Sequence, residues 1–78
     1  MQKFKIELDP HDLGQLLDGL EIRAEAWEKT AEYLRTGKFP AGEYFLIEEC
    51  NGAEEAEQIA EHYRLISRNI REQAERQK

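Results

Sequence analysis

Between residues 13 and 34 the main apolar positions are Leu13, Leu17, Leu20, Ala24, Trp27, Ala31 and Leu34, spaced by four, three, four, three, four and three. That spacing is a heptad seam held for three repeats, and it marks a helix that lies against another helix. The ends of the helix are written in local chemistry. Asp9 can accept from the free amides of a first turn, and Pro10 suits the first helical position because its missing N–H had no partner there. Asp12 places negative charge at the positive end of the helix dipole. Gly37 can adopt the left-handed capping conformation, and Pro40 blocks any resumption. The predicted helix covers 10–36.

A second seam follows at Ala56, Ile59, Tyr63, Ile66 and Ile70, widened by Ala60, Ser67 and Ala74. Asn51 reads as its N-cap, with Glu54 at the third helical position as a variant capping box. This predicted helix covers 52–77. Two rods of similar length pack antiparallel, with the Trp27 and Tyr63 rings opposite small residues such as Ala24, Ala31 and Ala60.

The remaining segments carry a different pattern. Over 3–8, Phe4, Ile6 and Leu8 alternate with Lys3, Lys5 and Glu7, which predicts a short, half-buried strand in need of a partner. The connection 37–51 is longer than the ~2–8 residues usual between packed helices. Tyr44, Phe45, Leu46 and Ile47 form its apolar centre. A strand at 43–48 is preferred because it would satisfy the backbone of the first strand; a helical turn is the rival. The expected fold class is therefore mainly α, α+β at most: a long antiparallel helical hairpin in a single domain, 1–78. Gly14 and Gly19, inside the first helix, are read as sites of close packing, with a movable first turn as the rival.

Charge refines this picture without redirecting it. Seventeen acidic and eleven basic residues give −6, a balance that makes nucleic acid and anionic membranes unlikely partners. Residues 41–61 hold seven glutamates and no Lys or Arg, whereas 62–78 hold five basic and two acidic residues. That asymmetry complements the dipole of the second helix. No apolar run is long enough to span a bilayer or to act as a signal peptide. The single cysteine excludes an internal disulfide and points to the reducing cytoplasm.

Candidates for chemistry are few. Cys50 precedes a helix N-terminus, which favours a thiolate, but Glu48 and Glu49 oppose it; an inert cysteine packed on the apolar segment is expected. His11 and His62 lack metal-ligand spacing, and the paired carboxylates read as solvated helix faces. No cofactor and no enzymatic activity are expected. Arg64, Arg68 and Arg71 form a ridge at i, i+4 and i+7, flanked by Glu61, Glu72 and Glu75 as helix partners.

A chain of 78 residues buries little core, and oligomerisation is the natural remedy. The expected function is non-enzymatic protein–protein contact, as a homodimer that forms a four-helix arrangement. Leu16, Ile22, Tyr33, Tyr44 and Phe45 are the apolar candidates for contact, with the Arg64, Arg68 and Arg71 ridge as a polar one. The alternative is an acidic inhibitor or antitoxin-like binder that presents the glutamates of 43–61 to a basic partner.

Overall fold

The computed structural model describes residues 1–38 and 49–77. The strand or helical turn expected at 43–48, with Tyr44 and Phe45, lies outside the described residues. The described residues form two helices: α1, Pro10–Thr36, and α2, Ala53–Arg76. Both coincide closely with the predicted spans. Ion pairs join Arg35 to Glu57 and Glu21 to Arg64. Position in α1 thus rises as position in α2 falls, and the helices form an antiparallel hairpin.

The caps of α1 behave as their chemistry dictates. The Asp9 carboxylate accepts from the Asp12 amide at 2.8 Å, and Pro10 opens the first turn. At the other end Gly37 adopts φ 74°, and its N–H donates to the Tyr33 carbonyl at 2.7 Å. A side chain there would be strained, so glycine ends the helix. The start of α2 differs from expectation. Its N-cap is Gly52, with no side-chain cap hydrogen bond. Asn51 lies one residue too early and donates instead to the Glu55 carboxylate at 2.8 Å.

The core is narrow, and alanines make up most of it. Among the described residues the buried apolar side chains are Leu17, Ala24, Trp27, Ala31, Ala56 and Ala60. Trp27, Ala31, Ala56 and Ala60 form one cluster, with Cys50, Ile59 and Tyr63 packed against it. In α2 the roles within the seam are therefore reversed. Ala56, Ala60 and Ser67 take the centre, while Ile59, Tyr63, Ile66 and Ile70 are only half-buried. Helices that meet through alanine and serine approach closely, and the larger residues are displaced to the flank. In α1, Leu34 has left the seam and is exposed. A straight helix drifts ~20° per heptad from a 3.5-residue repeat, and Leu34 lies three heptads from Leu13. Thr30, which lies outside the apolar seam, also belongs to the buried interior. It is fully buried, and its hydroxyl donates to the Ala26 carbonyl at 2.9 Å.

Two further expectations are corrected. Residues 3–8 do not form a strand, and no strand occurs among the described residues. Phe4 and Ile6 remain 77% and 75% exposed, so the alternating pattern meets no partner in the hairpin. An isolated strand leaves its backbone groups unpaired, which is why the pattern alone does not make one. Gly14 and Gly19 are not points of close packing either. A Cβ built at either glycine meets nothing within 4 Å.

Candidate interaction surface

The helical hairpin has two unlike flanks. One is charged. Arg64 reaches across from α2 and donates from Nη1 to Glu21 at 3.0 Å and from Nη2 to Glu28. Both carboxylate bonds, Glu28 first and then Glu21, push the Arg64 pKa up from its ordinary value. Arg35, in the last turn of α1, grips Glu57 with both terminal guanidinium nitrogens, the Nη2–Oε2 bond measuring 2.7 Å. Between these pairs runs an open groove of about 530 Å³. Ala31 and Ala60 are among its lining residues, with Glu32, Glu61, Leu65 and Arg68. Arg64 is thus a cross-helix tie and not a partner of Glu61 within α2. The arginine ridge does not act as a unit: Arg64 is committed to α1, Arg68 lines the groove and Arg71 is exposed. Spacing along α2 could rank the ridge outside the seam, but only the register between helices could show that Glu21 and Glu28 face it.

The opposite flank is apolar. At ~100° per residue, Leu16, Trp27 and Leu34 fall within about 20° of one another on α1, with Leu20 beside them. On α2, Ile59, Tyr63, Ile66 and Ile70 form the matching stripe. Trp27 is buried at its inner edge, with the Arg23 guanidinium 5.6 Å from its ring centroid. Its indole Nε1 is buried with no hydrogen-bond partner among the described residues. Leu16 and Leu34 remain exposed, at 43% and 41%.

The apolar candidates chosen from sequence therefore divide. Leu16 belongs to this flank. Ile22, 67% exposed, and half-buried Tyr33 share a different line on α1, about 100–120° away from Leu16. Leu34 also belongs to this flank, although heptad counting places it in the seam. The signal that could have found it is the drift of a straight helix away from the heptad.

The remaining chemical candidates are scattered. Cys50 is half-buried, and its Sγ lies 3.4 Å from the Gly52 carbonyl. His11 and His62 are both exposed, one near the start of α1 and the other midway along α2. Among the described residues no three His, Cys, Asp or Glu side chains are grouped to hold a metal ion. In the acidic stretch 43–61, Glu57 is held by Arg35 and Glu55 by Asn51. Neither described helix is long and apolar enough to cross a membrane. No family model, curated protein or solved structure matches the chain.

Proposed function

We propose that this is a non-enzymatic contact protein that works as a homodimer. One observation carries the reading: among the described residues, more large apolar side chains are exposed than buried. Among the described residues, Leu17 and Trp27 are the only large apolar side chains buried. Met1, Phe4, Ile6, Leu8, Leu16, Ile22, Leu34 and Leu65 are exposed. The radius of gyration is 15.1 Å, against ~11.5 Å for a compact domain of this length. A long, thin hairpin with a mostly alanine core gains little from its own burial, at roughly 25 cal/mol per Å² of apolar surface. A second copy laid on the Leu16, Leu34, Ile59, Ile66 and Ile70 flank makes a four-helix arrangement and supplies the missing core.

The charged flank supports the same orientation. Its ion pairs lie on the groove side, so the apolar flank is the side left for the second copy. Leu16→Glu tests the reading. The dimer is expected to weaken at least about tenfold as two carboxylates enter its apolar contact. Helix content by circular dichroism should be unchanged, because Leu16 is exposed in the single chain. Undiminished association of this variant would count against the flank as the contact.

A further inference from the structure

The arm at residues 3–8 has a strand's alternation and, among the described residues, no strand to pair with. Its apolar side chains Phe4 and Ile6 stand clear of both helices, and Asp9, at the junction with α1, is extended (φ −72°, ψ 167°). We propose that the arms of two copies pair with each other, forming a two-stranded antiparallel ribbon across the dimer axis, centred on Ile6. This deepens the homodimer reading and rests on it.

Charge complementarity selects both the occupant and the register. In an antiparallel pair, residues directly opposite each other point to the same face. With Ile6 on the two-fold axis, Ile6 faces Ile6 of the second copy, and each Phe4 faces a Leu8. On the other face each Lys5 meets a Glu7, and each Lys3 meets an Asp9. Every apolar residue then opposes an apolar one, and every charge opposes its opposite. Other two-fold registers fail this test. Centring on Lys5 sets lysine against lysine, and centring on Glu7 sets glutamate against glutamate. A shift by one residue sets charged side chains against apolar ones. The arm is thus self-complementary in one register only.

The geometry suits the dimer. The seven residues 3–9 span about 20 Å as a strand. Leu16 and Leu20 lie only about 9–15 Å along α1 from Pro10. The ribbon's apolar face, with Phe4, Ile6 and Leu8 from each copy, can therefore cover that end of the apolar flank. A two-stranded ribbon is marginal without such a surface beneath it, so ribbon and helix contact form together.

Disulfide trapping reads the register. In a Cys50→Ser background, Ile6→Cys, Lys5→Cys and Glu7→Cys are each oxidised at a concentration where the parent is dimeric. Ile6 sits ~4.5–5.5 Å, Cα to Cα, from its counterpart, within bridging range. Lys5 and Glu7 lie roughly 8 Å from theirs, beyond it. The expected result is a covalent dimer for Ile6→Cys and little for the other two. Equal trapping of all three, or none for Ile6→Cys in a dimeric protein, overturns the ribbon and leaves the homodimer standing. A monomeric parent overturns both.

A charge exchange tests it without oxidation. Glu7→Lys sets lysine against lysine in both cross-strand pairs and should weaken the dimer by about fivefold or more. Adding Lys5→Glu restores opposite charges and should recover most of the affinity. These side chains are exposed in the single chain, so the hairpin folds in every variant. A double variant no tighter than Glu7→Lys alone contradicts the register.

Discussion

Arg35 in the last turn of α1 and Glu57 in the first half of α2 meet with two nitrogens against two oxygens, tying the loop end of the hairpin. Both side chains are about half exposed. Screening limits such a pair to about 0.2–1 kcal/mol even with good geometry. Glu57→Gln should therefore lower stability to urea by no more than about 1 kcal/mol at low salt, and by less in 0.5 M salt. Arg64 holds two α1 carboxylates at once, and Arg64→Met should cost more than Glu57→Gln under the same conditions. Equal effects would show that Glu21 and Glu28 do not act together on Arg64.

The small-residue seam gives an opposite kind of prediction. Ala60 is almost fully buried where the helices meet. Ala60→Leu adds methylene groups at a contact already filled by small side chains, at a cost of about 1–3 kcal/mol. Urea unfolding followed at 222 nm should show the loss. A stabilised Ala60→Leu variant would mean that the helices are further apart than an alanine contact allows.

Gly14 and Gly19 offer stabilisation. Each lies within α1, and a Cβ at either site meets open space. Glycine in a helix interior costs about 1 kcal/mol relative to alanine. Gly14→Ala and Gly19→Ala should each raise stability by up to that amount, and the pair should be close to additive. If either variant instead loosens the proposed dimer while stabilising the helix, a second copy would have to pack closely at that glycine.

These outcomes separate what local sequence specifies from what it does not. The bounds of α1 were legible because Asp9, Pro10 and Gly37 act on neighbouring backbone groups alone. The antiparallel partner was legible from two seams of matching length. The depth of each seam residue was not. Heptad spacing treats Ile59 and Ala60 as neighbours on one face, and the distance between the axes decides which one reaches the centre. Thr30 escaped notice because a hydroxyl that bonds its own helix can be buried like an apolar residue. Arg64 has candidate partners on its own helix and finds others on α1. The arm at 3–8 has the residues of a strand, but a strand needs a second chain of backbone, and that lies outside any local pattern.

Trp27 reports on the fold directly. Its ring belongs to the core cluster, and its Nε1 is buried without a partner among the described residues. Trp27→Phe removes that N–H along with part of the ring, so the two effects partly cancel. The loss should be well below the ~3–5 kcal/mol of Trp27→Ala. Denaturant melts of both variants, followed by circular dichroism, check the order. A Phe variant as unstable as the Ala variant would mean that the indole N–H is satisfied in solution.

Self-association is the central proposal. Sedimentation equilibrium of the unaltered chain at tens of micromolar tests it most directly. The account predicts twice the mass of one chain, falling toward the monomer on dilution. A single-chain mass throughout that range, with the helices intact by circular dichroism, would contradict it.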